Sequence, residues 1–208
     1  MAGRMTGSDV KAVFITADTT ALDADGISVA AAVGNNAALV IGGALASGGA
    51  VALDSGRVVT ILSAGNDAAK SFTVTGTDVN GDSQTESITG ANAGTATGSK
   101  YFKTLSGISA VGNPAGNVSA GVNNSAADVI FAGPGRLKGT FIVSSATAGT
   151  INFLTTSPTG TSKMKLGSVA SATVSRDVTM PDDGVYFSAG IYIQYTQSTF
   201  GTMTAFHA

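Results

Sequence analysis

Residues 55–90, SGRVVTILSAGNDAAKSFTVTGTDVNGDSQTESITG, constrain the fold of this chain more than any other stretch. Residues 57–62 (RVVTIL) read as a buried strand and residues 63–67 (SAGND) as a loop. Residues 71–75 (SFTVT) then alternate apolar and polar, the period-2 signature of a half-buried strand. A second alternating run, residues 84–89 (QTESIT), follows Asp78-Val-Asn-Gly-Asp82. Together they spell a β-hairpin. A two-residue loop at Asn80-Gly81 would split the apolar residues between both faces. A three-residue loop, Val79-Asn80-Gly81, instead sets Asp78 against Asp82 and Phe72 against Ile88, and keeps Val74 on their face. Since a one-residue slip turns every side chain over, the three-residue loop is expected, with Gly81 left-handed in a G1 bulge.

The same kind of text runs along most of the chain. Strands are expected at 10–15, 38–41, 50–53, 100–105, 106–111 and 118–122. After the breaker Ala132-Gly-Pro-Gly135 they are expected at 136–144, 150–155, 163–166, 172–180, 190–195 and 203–206. Pro181-Asp-Asp-Gly184 is a turn signal, because Pro pre-sets φ and Gly accepts a positive one. Residues 16–26, 42–49 and 91–99 read as turns and small-residue loops. No run carries a long helical period. The expected fold is all-β: two small antiparallel β-sandwich or barrel-like units behind a flexible N-terminal arm, with little helix. The expected boundaries are an arm at 1–26, a β domain at 27–131 and a C-terminal β-sandwich domain at 132–208.

Composition narrows the function. Charged residues are 12% of the chain, about half the usual ~25%. Apolar residues make up 43% and the net charge is −2, so the chain is not of the disordered class. Lys and Arg are scattered, with no basic cluster interleaved with aromatics, so no nucleic-acid partner is expected. There is no cysteine, which rules out disulfides and Cys-zinc sites. Residues 27–53 are long and apolar, but Asn35, Asn36 and a series of glycines interrupt them and no Lys or Arg flank closes them. No membrane span is expected there. Met1-Ala-Gly-Arg4 is not followed by the apolar core of a signal peptide.

Candidate chemistry is sparse. His207 is the one histidine, and its place at position 207 of 208 makes it a poor general base, so a structural or exposed imidazole is expected. Asp78, Asn80 and Asp82 resemble the first half of a calcium loop. The glycine falls at loop position 4 where 6 is needed, and position 12 is Thr89 where a bidentate Glu belongs. They stand as a weak calcium candidate, and no other metal is expected. Asp18, Asp23 and Asp25 form a loose acidic group that turn chemistry explains. Glu86 with Asp182 and Asp183 would supply carboxylates for glycoside hydrolysis, but nothing in the sequence brings them together. The glycines at 42–49 and 133–135 lack the Gly-Lys-Ser/Thr of a phosphate loop. No catalytic residues, cofactor or small-molecule substrate are expected, and the chain reads as non-enzymatic.

The runs RVVTILSAGND (57–67), FTVTGTD (72–78) and TESITG (85–90), together with KYFKTL (100–105) and GNVS (116–119), resemble structural proteins of tailed bacteriophages. The C-terminal text from GRLKG (135–139) to GVYFSAGIY (184–192) resembles a small β domain common in phage virion proteins. The resemblance implies a virion component assembled in many copies. The expected role is a capsid decoration protein that binds the major capsid protein as a homo-oligomer, a trimer at local symmetry axes, with tail, fibre or head-to-tail connector protein as the alternative. A carbohydrate-binding or depolymerising module is disfavoured by the absence of Trp and of a carboxylate pair.

Overall fold

The computed structural model describes residues 9–169, 175–181 and 183–208. The described chain is all-β and contains no helix. The strands begin with β1 (Lys11–Thr16), β2 (Asp23–Ala32), β3 (Ala46–Ser47), β4 (Ala50–Ser63), β5 (Ser71–Thr77), β6 (Ser83–Thr89), β7 (Thr95–Val111) and β8 (Asn117–Phe131). They continue with β9 (Gly135–Ser144), β10 (Gly149–Thr155), β11 (Thr161–Ser168), β12 (Ser175–Thr179), β13 (Val185–Phe187), β14 (Ile191–Thr196) and β15 (Phe200–His207). They build two antiparallel sheets of five and ten strands, neither closed into a barrel.

One compact unit is Asp18–Asp128. Its strands run β8-β4-β7-β5-β6, with β2 on β8 and β3 on β4. The hairpin β5–β6 has Phe72 opposite Ile88 and Thr77 opposite Ser83. Asp78 N–H donates to Asp82 O at 2.9 Å and Gly81 sits at φ 89°, so the three-residue loop and its bulge glycine form as the alternation requires. β7 serves two neighbours: Leu62 to Val51 of β4 pair along Thr95 to Leu105, and β5 pairs along Thr104 to Val111. A bulge at Ser106 separates Gly107, opposite Thr75, from Leu105, opposite Gly76. The core gathers Ile27, Val59, Ile61, Phe72, Phe102 and Ile108 among others. Val58, Tyr101 and Ala127 form a second, smaller cluster. From Ser55 to Ile61 β4 is thus buried on both faces, which is why this run lacks polar alternation.

The other unit comprises the described part of Met1–Ala17 together with Val129–Ala208. Its five-stranded sheet runs β1-β15-β9-β12, with β13 also on β9. β10 pairs with β11 on one side and β14 on the other. Alternate residues Ile191, Ile193 and Tyr195 are buried, as are Met203 and Ala205 on β15. The Tyr195 and Phe200 rings lie 4.9 Å apart.

The strand expected at 10–15 forms as β1, inside the span expected as an arm at 1–26. Lys11–Thr16 pairs residue for residue with β15, Lys11 against His207 through Thr16 against Thr202, and buries Ile15. Asp23–Ala32 is a strand on β8, where its Asp-Ala-Asp-Gly opening had read as a turn. The two compact units divide after Asp128, inside β8. Residues 38–41 hold only an isolated bridge, Ala38 to Ser109. Of the strand expected at 172–180, residues 172–174 lie outside the described residues, as does Asp182 of the expected turn. Gly184, at φ 78°, donates to Pro181 O at 3.1 Å.

Candidate functional site

The hairpin acids serve the turn. Asp78 Oδ1 accepts from Asn80 N–H at 2.8 Å and Asp82 N–H at 3.0 Å, and Asn80 Nδ2 reaches Asp78 Oδ2 at 3.4 Å. These are the Asx-turn bonds expected of such residues. Among the described residues no three His, Asp or Glu side chains come together in a metal-binding group.

Glu86 is engaged within its own unit. Its Oε1 accepts from Ser99 N–H at 2.6 Å and Ser99 Oγ at 2.8 Å, and Lys100 N–H lies 3.3 Å from both carboxylate oxygens. Lys100 Nζ donates back to Thr85 O at 2.7 Å, and Gln84 Nε2 to Tyr101 O at 2.6 Å. These bonds fix β6 against the first half of β7. Asp67 is wholly buried, and its Oδ1 accepts Ala115 N–H at 2.7 Å, tying two loops together. Asp182 of the carboxylate set raised from the sequence lies outside the described residues.

His207 ends β15 with only 4% of its surface exposed. It stacks on Phe131, ring centroids 4.9 Å apart and 22° between planes, in a cleft of about 300 Å³ lined also by Asp9, Lys11 and Ala208. Burial lowers its pKa from the ordinary 6.5, and the Lys11 charge lowers it further. Of the structural or exposed imidazole expected from sequence, the structure has the buried one, packed on a phenyl ring.

The surfaces that stand out are sheet faces. On the outer side of β6, β5 and β7 the register sets Thr89, Ser71 and Val111 in one row. The next rows are Ser87, Thr73 and Ser109, then Thr85, Thr75 and Gly107, then Ser83, Thr77 and Thr104. Every position but Val111 and Gly107 carries a hydroxyl. Thr77 and Thr104 bond to each other at 2.7 Å. The inward alternates Phe72, Val74 and Ile88 are buried, so the hydroxyl face is the solvent side.

On the outer side of the five-stranded sheet, the rows across β1, β15, β9 and β12 are three. They are Thr16, Thr202, Val143 and Ser175; Phe14, Thr204, Phe141 and Asp177; and Ala12, Phe206, Gly139 and Thr179. Asp177 is the one charged residue of these rows. Phe14 is 67% exposed and Phe141 42%. Tyr186 on β13, 52% exposed, extends the face beside Arg136, whose guanidinium lies 5.4 Å from its ring centre. A solvated antiparallel face ordinarily alternates to charged and polar side chains, so two such faces nearly free of charge point to contact surfaces.

No helix among the described residues is long and apolar enough to cross a membrane. Compared with known protein families, with curated proteins and with solved structures, the chain finds no match.

Proposed function

We propose that this chain is a non-enzymatic structural protein of a tailed-bacteriophage virion, a decoration protein that binds the major capsid shell as a homo-oligomer and stabilises it. The observation that carries the reading is the pair of broad, nearly uncharged outer sheet faces, one of hydroxyls and one of aromatics. A decoration protein needs a contact to the shell and a contact to its own copies. Short hydroxyl side chains lose little rotamer entropy on contact and bond readily through water, while exposed aromatics supply buried apolar area. The resemblance of the strand-and-turn text to virion proteins supports the same reading.

The test is the copy number of this chain in purified phage particles, by gel densitometry against the major capsid protein. A ratio near one to one is expected. A few to a few dozen copies per particle would move the protein to the tail, connector or fibres, and absence from particles would end the virion reading.

A further inference from the structure

We propose that the outer face of the five-stranded sheet is an interface between two copies of this chain, stacked sheet on sheet about a two-fold axis. The inference builds on the homo-oligomer part of the function proposed above and names the surface responsible.

Area supports it first. At about 150–250 Å² per aromatic side chain, the exposed fractions of Phe14, Phe141 and Tyr186 leave roughly 300 Å² open. Thr16, Ala12, Ser175, Thr179 and the half-buried Phe206 and Val143 bring the face to the order of 700 Å², above the ~300–600 Å² of the largest patch on a typical monomer. Two such faces together would bury on the order of 1,400 Å², within the ~1,200–2,000 Å² of stable specific interfaces.

Charge supports it second. A two-fold interface sets a surface against itself, so any cluster of like charges on it would meet its own repulsion. The three rows hold only Asp177, on the β12 edge beside Phe141, and the one further charge named on the face is Arg136, against the Tyr186 ring. A face built for a differently charged partner has no reason to be this empty of charge.

Geometry supports it third. The face is pleated and open, and its large side chains alternate with small ones: Phe14 and Phe141 flank Thr204, and Phe206 lies between Ala12 and Gly139. Two such faces interleave at the ~10 Å spacing of stacked sheets. The predicted assembly has an even copy number, in place of the trimer expected from sequence.

The test is sedimentation velocity on the purified full-length chain at micromolar concentrations, without shells. A dimer is expected. Phe14→Ser and Phe141→Ser should each raise the dimer dissociation constant by roughly thirtyfold, the scale of an interface hot spot. Thr204→Arg, which sets a charge at the centre without removing any packing from the monomer, should dissociate the dimer with unchanged circular dichroism. Thr75→Arg on the hydroxyl face should leave it intact. A monomeric or trimeric wild type, or a dimer indifferent to Thr204→Arg, overturns the proposal. Since no shell is present, this result is independent of whether the chain decorates one.

Discussion

Arg57 and Asp18 form a buried ion pair, Nη1 to Oδ2 3.0 Å, with side chains 0% and 1% exposed. The guanidinium also donates to carbonyls: Nη1 to Thr20 O at 2.8 Å, and Nε and Nη2 to Asn123 O. One arginine on β4 thereby holds the segment entering β2 and the backbone of β8. Asp18 Oδ1 also accepts Thr20 N–H at 2.6 Å, which fixes the turn that presents both groups.

Removing one member of such a pair strands the other charge out of water. Arg57→Ala should therefore cost about 3–5 kcal/mol in urea unfolding. The double variant Arg57→Met/Asp18→Leu should recover part of that loss, because no bare charge remains. Recovery stays incomplete, since the carbonyls of Thr20 and Asn123 lose their donors. Full recovery would show that the carbonyl bonds contribute nothing.

Glu86 makes a second prediction. Its carboxylate collects N–H and O–H donors from Ser99 and Lys100 across the unit. Hydrogen bonds to a charged group contribute about 1.5–3 kcal/mol each when buried, and less when half-exposed as here. Glu86→Ala should cost about 1–2 kcal/mol and speed amide exchange at Ser99 and Lys100. Glu86→Gln, which keeps one acceptor, should lose less. Equal losses for both would mean that a neutral acceptor replaces nothing and that the stabilisation rests on the charged carboxylate.

The β5–β6 hairpin was legible because two period-2 runs and an Asn-Gly turn fix register locally. The start of β7 was not. Residues 95–99 are small and polar, and they become strand only through their ladder to Thr60–Leu62 on β4. β2 was hidden for a related reason: Asp23 accepts Asp25 N–H in a local turn bond even as it begins the strand on β8. The Arg57–Asp18 pair gave one faint signal, a charge opening an otherwise apolar run, with its partner 39 positions away. The aromatic face could not be read at all, because Phe14, Thr204 and Phe141 become neighbours only when β15 inserts between β1 and β9.

Glycines separate close packing from mere composition. A Cβ on Gly121 would lie 1.7 Å from the backbone oxygen of Asp23, so β2 can lie on β8 only if residue 121 has no side chain. Gly121→Ala should cost about 3 kcal/mol, at the upper end for overpacking. Gly107 meets nothing within 4 Å. Gly107→Ala should be neutral or stabilise by up to about 0.5 kcal/mol, through the smaller entropy of the unfolded chain. Comparable thermal shifts for both variants would contradict the close approach of β2.

His207 predicts a pH dependence. Burial against Phe131, then the Lys11 charge, hold its pKa below the ordinary 6.5, so the folded state resists a proton that the unfolded chain accepts. The unfolded state binds more protons as pH falls through 6.5, and stability declines from there toward the folded value. Above 6.5 both states are neutral and the contribution is flat. Urea midpoints measured between about pH 5 and pH 8 should fall on the acid side for the wild type. His207→Gln should flatten that part of the slope, leaving only what the carboxylates impose. Lys11→Gln should shift the decline to lower stability loss, because it removes the repulsion that protonated His207 meets. A wild-type curve that matches His207→Gln across this range would mean the imidazole titrates alike in both states.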